Sequence, residues 1–538
     1  MNQTGHSKAP PGNRETHPRV FTPATLVLLL LLSIFGAVIG VQLLTTLGVT
    51  PNTAIIGAMA AMIIARIPLQ CFARFRSIHI QNLAQSATSA ATFGAANSLL
   101  LPISIPWLFG HQEMVMPMFF GVALAMLLDA WLLYRLFNSR IFPAEGAWPP
   151  GIAAAESIKA GDQGGKQAGL LGVGIAIGAI GSWFKFPMAA LGTAFIGNIW
   201  ALSMLGVGFL LRGYSQPLFG TDINELYIPH GVMAGAGLVA LFQIVKLIRQ
   251  SNASKTSASD DEALDSEQNA QIGKTIRLGA LGFIVLSALV AVGGGLYAHL
   301  SLPWLIAFML YAAFAAFLHE MIVGLAAMHS GWFPAFAVAL ITLIVGILIG
   351  FPPEALAMLC GFSAATGPAF ADMGYDLKAG WILRGKGKHT RFELEGRRQQ
   401  LIAAMLAFVV AIPVVLFIFN DYFSQGLVPP VAKVYVAAIN AGVSMDIAKS
   451  LLIWAIPGAL IQLIGGPGRQ MGVLLATGLL IANPLAGWAV LIGIAIRSIV
   501  MRVGGEPMRN KVEVLAAGLI AGDALFSFFN SVLPGGKK

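Results

Sequence analysis

Charged residues are scarce in this sequence of 538 residues. Asp, Glu, Lys and Arg make up only 11% of it, whereas 57% is hydrophobic and the mean hydropathy is +0.77. Soluble globular chains carry about 25% charged and about 45–50% apolar residues, so this composition excludes a soluble protein. Long apolar runs recur at short intervals, and a membrane-spanning helix needs roughly 20 such residues. The composition therefore predicts an all-α polytopic membrane protein.

Cysteine is almost absent. The two cysteines, Cys71 and Cys360, form neither a disulfide framework nor a metal-ligand spacing. Cys360 lies in an apolar run, where we expect a small core residue. The run 380–386 imitates a phosphate-binding loop, but Gly387 stands where Ser or Thr is required. No nucleophile–base constellation is recognisable. We therefore expect no metal, no cofactor and no enzymatic activity.

The net charge of +9 would suggest nucleic acid as a partner of a soluble protein. Here Lys and Arg fall mainly in loops between apolar runs, which is the orientation signal of membrane proteins. We expect a lipid bilayer as the partner and no nucleic acid. The apolar run 20–47 exceeds a signal-peptide core, so it predicts a first span in the cytoplasmic (inner) membrane.

The chain divides into a cytoplasmic tail (1–19), a first transmembrane half (20–248), a polar linker (249–275) and a second transmembrane half (276–538). The linker is rich in Ser, Asp, Glu and Asn. The apolar segments amount to roughly 14–16 spans, and several are short enough to be half-helices or re-entrant segments. The basic loops leave the side of the linker undetermined.

The two halves contain a weak internal repeat. PPGIAAAESIKAG aligns with PAFADMGYDLKAG, so that Pro149 falls on Pro368 and Lys159 falls on Lys378. A chance match among so many Gly and Ala residues is the alternative. Corresponding Gly/Pro-interrupted segments in two halves are a sequence indication of a transporter's binding region.

The segment 351–400 contains the most informative break. Gly367 and Pro368 interrupt an apolar helix, because proline lacks an N–H donor and clashes with the preceding turn. Asp372, Asp376 and Lys378 follow. Ionisable residues at membrane depth favour a functional site that faces a polar path. A solvated interfacial loop is the alternative.

Three other acids lie in apolar runs: Glu320, Asp523 and Asp129. An ionised side chain there costs several kcal/mol unless it is paired or hydrated, which suits a reversible proton carrier. An interfacial position is the alternative for Glu320, and a basic partner on another helix is the alternative for the other two.

Asn82 and Gln85 are polar residues at helical spacing among small neighbours. They are candidates for substrate binding, although small-residue helix packing explains the stretch equally well. Two GxxxG pairs are better explained as helix contacts than as nucleotide-binding glycines: Gly174 with Gly178, and Gly231 with Gly235.

The run DLKAG at 376–380, followed by RRQQ at 397–400 opening an apolar helix, resembles the oligopeptide transporter (OPT) family. The Asn82/Gln85 helix and the stretches 188–213 and 516–529 are also similar, in matching order. Ala379 replaces the family's usual Thr, the loop 384–395 is longer and more basic, and Asp523 stands where Glu is common.

The resemblance implies a secondary transporter with many spans in duplicated halves, which imports small oligopeptides or peptide-like metal chelates (siderophore type) with protons. On this reading Glu320 or Asp523 carries the proton. The predicted substrate-binding residues are Asn82, Gln85, Asp372, Asp376, Lys378 and Gly380. A membrane-embedded enzyme acting on a lipid-linked substrate, or a channel, is the alternative. Substrate, direction of transport and oligomeric state stay undetermined at this point.

Overall fold

A computed structural model describes residues 16–47, 57–58, 61–62, 70–163, 165–253, 260–331, 335–442 and 445–532. Within these ranges the chain is helical, and the one β-bridge, between Phe137 and Phe142, is isolated. The predicted all-α fold is thereby confirmed. Most of the predicted cytoplasmic tail lies outside the described residues.

The helices of the first half are short or interrupted in several places. They are α1 (Pro23–Leu47), α2 (Ile78–Phe93), α3 (Leu101–Phe109), α4 (Val115–Leu136), α5 (Pro149–Gln163), α6 (Gly165–Trp183), α7 (Met188–Ile196), α8 (Ile199–Phe219) and α9 (Ile228–Ala253). A π-helical stretch, Gly94–Leu100, joins α2 to α3 without a loop.

Several helices of the second half are also short. Its helices are α10 (Asp260–Gly293), α11 (Leu302–Ser330), α12 (Ala335–Ile349), α13 (Pro353–Ala365), α14 (Pro368–Leu383), α15 (Thr390–Ser424), α16 (Pro430–Ala441), α17 (Met445–Gly465), α18 (Met471–Leu480), α19 (Pro484–Gly504) and α20 (Glu506–Val532). The predicted linker is helical at both ends, and residues 254–259 between them lie outside the described ranges.

Eight helices of the described part are long and apolar enough to cross a membrane: Pro23–Thr45, Ile78–Phe109, Gln112–Leu136, Gln271–Gly293, Leu302–Ser330, Thr390–Ser424, Asp446–Gly465 and Pro484–Gly504. Shorter apolar helices accompany them, as the expected half-helices require. The protein is therefore a multi-pass membrane protein.

Glycines allow the closest helix contacts. A Cβ on Gly174 would lie 2.8 Å from Gly518 Cα, and a Cβ on Gly178 would lie 3.1 Å from Gly522 Cα, so α6 and α20 touch backbone to backbone. A Cβ on Gly231 would lie 2.7 Å from a side chain of α17. Both predicted GxxxG pairs are thus helix contacts. Cys360 is fully buried in α13, as expected for a small core residue.

Candidate functional site

The predicted break separates α13 from α14. Thr366 has extended backbone angles, and Gly367 has a φ of +94°, a conformation that residues with a Cβ rarely adopt. Pro368 then opens α14, a position where its missing N–H would be unpaired in any case. Every residue of α14 is buried. This burial excludes the alternative of a solvated loop.

The broken helix runs antiparallel to the long helix formed by α2 and α3. A Cβ on Gly361 in α13 would lie 3.0 Å from the carbonyl oxygen of Pro102 in α3. Asp376 in α14 contacts Gln85 in α2. The order of these contacts places the break beside the π-helical stretch Gly94–Leu100. Irregular backbone at membrane depth is tolerated where it is buried in protein or lines a water-filled cavity.

The face of α14 toward α2 carries two carboxyl groups. Asp372 and Asp376 are four residues apart, so both project from one side of the helix. Ser89 donates a hydrogen bond to Oδ1 of Asp372, and Gln85 donates one to Oδ1 of Asp376. Asn82 in turn donates to Oε1 of Gln85 at 2.8 Å. The structure thus brings together four of the predicted substrate-binding residues.

Three buried acceptors between α2 and α14 have no hydrogen bond to the protein: Oδ2 of Asp372, Oδ1 of Asn82, and Oδ2 of Asp376, whose carboxyl lies beside Ser86. The three side chains are at most 1% exposed. A buried polar atom without a hydrogen bond costs about 1–3 kcal/mol, so such atoms in a folded protein require an explanation. Within the described ranges, no three His, Cys, Asp or Glu side chains are arranged to hold a metal ion. Unpartnered acceptors of this kind suit a group that donates hydrogen bonds.

Gln400 of α15 holds α14 from the side. Its Nε2 donates to the backbone carbonyl of Asp376 at 2.6 Å and to Ser86 Oγ at 3.1 Å, and its Oε1 accepts from Nη1 of Arg384 at 2.7 Å. Gly380 makes this approach possible, because a Cβ there would collide with Gln400 Oε1 and with the Arg384 guanidinium. Gly380 thus acts by leaving room for another side chain.

A buried ion-pair network closes this end of α14. Arg384 Nε donates to Glu393 at 2.8 Å, and Glu393 also accepts from Arg397 at 3.4 Å. The Arg397 guanidinium donates to the carbonyl oxygen of Phe137 at 3.3 Å. The network ties the loop after α14 to both α15 and the end of α4.

The segment before α1 covers the same end. Val20 N donates to Gln399 Oε1 at 2.9 Å, and the His17 ring packs 5.3 Å from Phe392 and 5.2 Å from His79. Burial lowers the pKa of His17 to about 4, so the ring is neutral at pH 7. Residues 16–22 are therefore part of the packed structure.

Lys378 points away from the acidic face. Its Nζ donates to the carbonyl oxygen of Ala144 at 2.7 Å and lies 4.6 Å from the ring centroid of Trp381. The backbone of α5 packs close to it, since a Cβ on Gly151 would lie 2.8 Å from Lys378 Cβ. The two helices that the repeat alignment relates therefore touch, and each begins at its aligned proline, Pro149 or Pro368.

Two further acids lie at the break. The backbone N–H of Gly367 donates to Oδ2 of Asp129 at 3.1 Å, so α4 caps the N-terminus of α14. Glu320 of α11 is fully buried within the protein, and neither of its carboxyl oxygens has a partner. The neighbouring His319 contacts Thr366 at 3.3 Å.

Asp523 occupies a different contact. Its Oδ1 accepts from Ser182 Oγ, and its Oδ2 accepts from the backbone N–H of Ala189 at 2.7 Å, in the first turn of α7. The partners of this acid are therefore neutral donors on α6 and α7.

Sequence reasoning missed Ser89 and Arg384 and did not assign a role to Gln400. Ser89 stands 283 residues from its partner Asp372, and no local pattern connects them. The RRQQ run did single out the neighbourhood of Gln400, although only through a family resemblance.

A family model described as "OPT oligopeptide transporter protein" matches residues 20–224 and 219–533. A comparison with curated proteins finds no match to the sequence. The matched segments span nearly all of the chain and include the broken helix, the acidic face and the Gln400 contact. On this basis the protein belongs to the OPT oligopeptide transporter family.

Proposed function

We propose that this protein is a proton-coupled secondary transporter in the cytoplasmic membrane, and that it carries small oligopeptides or peptide-like metal chelates. Its family supports transport of the oligopeptide type. The observation that carries the proposal is the acidic face of α14, where Asp372 and Asp376 keep unpartnered, buried oxygens beside a helix break. Broken helices with free polar groups are a usual construction of transporter binding sites.

The acidic face suits the positively charged end of a peptide. An ammonium group offers three N–H donors and no acceptor. The unpartnered acceptors are one oxygen each from Asp372, Asp376 and Asn82. Gln85 and Ser89 hold the other carboxyl oxygens in place. In this proposal the acids bind the substrate directly, and Gln85 positions Asp376.

Lys378 and Gly380 contribute differently. Lys378 fixes α14 against the Ala144 carbonyl, and Gly380 admits Gln400 to the backbone of α14. Both residues therefore set the position of the acidic face, Lys378 from another side of α14 and Gly380 one turn beyond Asp376.

Proton coupling requires a carboxyl that can exchange a proton during transport. Of the two acids predicted for this role, Glu320 fits better, because both its oxygens are buried without partners. Asp523 accepts from Ser182 and from Ala189 N, which suits an acid that anchors the start of α7.

The test uses the purified protein in liposomes with an imposed pH gradient. Labelled trialanine and a ferric-siderophore complex are the two probes. We expect saturable uptake of one of them that disappears when the gradient is collapsed. A channel would show no saturation, and an enzyme would alter its substrate without accumulating it. Uptake of neither probe would overturn the proposed substrate classes.

Site variants sharpen this test. Asp376→Asn removes a charge from the acidic face and should raise the substrate concentration needed for half-maximal uptake. Asp421→Asn is the matched control, since Asp421 is exposed on α15 and far along the chain from the acidic face. Equal effects of the two substitutions would argue against substrate contact by Asp376.

A further inference from the structure

The helix break brings a second pair of acids together, apart from the acidic face. Asp129 reaches the break from α4, where Oδ2 accepts from the N–H of Gly367 at 3.1 Å and Oδ1 has no partner. Glu320 reaches it from α11 with both oxygens unpartnered. Both side chains are fully buried. Three carboxyl oxygens near the break are thus buried without a hydrogen-bond partner.

Neighbouring contacts fix Glu320 at the break. His319 precedes it and contacts Thr366 at 3.3 Å. Val323, one turn later, lies 3.1 Å from the Cβ position of Gly367. Glu320 stands between these two contacts on the same helix, and it lies close enough to Asp129 for the charge of that residue to act on it.

The contacts of the described residues supply no positive charge to this pair of acids. His319 is engaged with Thr366 and with the carbonyl oxygen of Ala335 at 2.6 Å. The first acid of α14, Asp372, accepts a hydrogen bond from Ser89. Within the described ranges, neither Asp129 nor Glu320 forms an ion pair with Lys or Arg. Two buried carboxylates of like charge cannot both stay ionised at close range, so a proton between them is the neutralising partner that the site requires.

We propose that Asp129 and Glu320 together form the proton-binding site of the transport cycle, separate from the substrate-binding face of Asp372 and Asp376. This inference rests on the proposed proton-coupled transport. The proton binds a carboxyl oxygen of Glu320 and is hydrogen-bonded to Oδ1 of Asp129. It comes from water on one side of the membrane and leaves to water on the other, and no other bond is made or broken.

Asp129 links this proton to the substrate-binding helix. Its negative charge lies at the N-terminus of α14, where the helix dipole and the free N–H groups favour an anion. When Glu320 loses the proton, its charge repels Asp129 and weakens the contact with Gly367. The acidic face begins four residues after Pro368, on the same rigid helix. Proton release from Glu320 and substrate release from the acidic face therefore both act on α14.

Reconstituted wild-type protein, Glu320→Gln and Asp129→Asn would be compared in two assays with labelled trialanine and the ferric-siderophore complex. The first assay is accumulation driven by a pH gradient, and the second is exchange of internal for external probe with no gradient. We expect both variants to lose accumulation above equilibrium and to retain exchange. Accumulation and its pH dependence unchanged in both variants would overturn the inference.

A second measurement needs no substrate, so it tests the proton-binding site even when no transport is observed. Difference infrared spectroscopy across pH detects the carbonyl stretch of a protonated carboxyl, and Glu320→Gln should remove one component of that band. Glu320→Asp keeps an acid, so it should restore part of the accumulation if the variants fold, as checked by size-exclusion chromatography. Wild-type protein without gradient-driven uptake would reject the proposed function, whereas an infrared band unaffected by either substitution would reject the proton site.

Discussion

Gly380→Ala should destabilise the protein although alanine is the better helix former. In a helix interior, Ala is favoured over Gly by roughly 0.5–1 kcal/mol. At position 380 a Cβ would collide with Gln400 Oε1 and the Arg384 guanidinium. The substitution therefore displaces the ends of both side chains, which strains the bond from Gln400 to the Asp376 carbonyl and the charge-assisted bond from Arg384 to Gln400.

The magnitude follows from the two hydrogen bonds. A neutral bond contributes about 1 kcal/mol and a bond to a charged group about 1.5–3 kcal/mol, while side-chain bonds in membrane proteins average nearer about 0.6 kcal/mol. After the helix-propensity gain is subtracted, the membrane-protein average gives a net loss of at least about 0.2 kcal/mol in the free energy of unfolding, and the larger values give up to about 3.5 kcal/mol. Thermal unfolding in detergent, followed by tryptophan fluorescence, measures it.

Gly172→Ala is the matched control. Gly172 lies in the interior of α6, is exposed, and has no atom within 4 Å of its Cβ position. The same substitution there should be neutral or raise the unfolding temperature slightly. If Gly380→Ala stabilised the protein as much as Gly172→Ala does, the argument that Gln400 and Arg384 support α14 would be refuted.

Three other predictions concern packing, pH and capping. Gly518→Leu should lower the unfolding temperature by separating α6 from α20, because overpacking costs about 1–3 kcal/mol and Gly174 leaves no space. Because the pKa of His17 falls to about 4 on folding from 6.5, the unfolded state binds the extra proton, so stability should fall as pH drops from 6.5 towards 4. His17→Phe should flatten that slope in unfolding measured at several pH values. Asp523→Asn keeps an oxygen acceptor for the N–H of Ala189, so it should change stability little and leave gradient-driven accumulation intact.

Each of these outcomes has a contrary result. An unchanged unfolding temperature for Gly518→Leu would mean that the two helices can separate freely. A slope unaffected by His17→Phe would assign the pH dependence to other groups. Loss of accumulation in folded Asp523→Asn would return Asp523 to the proton pathway.

The sequence predicted the helix break because Gly367 and Pro368 act locally, through a positive φ and a missing N–H donor. It could not predict the direction of Lys378, which is set by the carbonyl of Ala144 at a separation of 234 residues. Hydropathy also misses α14, because a short helix with several charged residues fails the criteria for a membrane span. The helix that carries the acidic face is thus among those least visible to a search for apolar runs.

Local sequence patterns predicted the features that depend on a single helix. They did not predict the contacts between helices that are far apart in the sequence. Asp372 and Asp376 share a face by helical spacing alone, so their common side was predictable. Their partners on α2 depend on the antiparallel register of two interrupted helices. The family resemblance pointed to Asn82 and Gln85, but periodicity alone left them indistinguishable from small-residue packing.

The fully buried α14 also has a consequence for how the chain enters the membrane during synthesis. Asp and Lys each oppose insertion by about 2.5–3.5 kcal/mol at the centre of a span, and α14 carries Asp372, Asp376 and Lys378 within 16 residues. It should therefore not enter the bilayer by itself, and its insertion should wait for α2, which supplies Ser89 and Gln85. If the chain is split between Ala253 and Asp260, a cysteine placed in α14 should react with a water-soluble reagent when the second half is made alone, and be protected when both halves are made together. Burial of the acidic face would then depend on the order of assembly. The first half of the chain supplies the contacts that the charged residues of α14 need before they can enter the membrane.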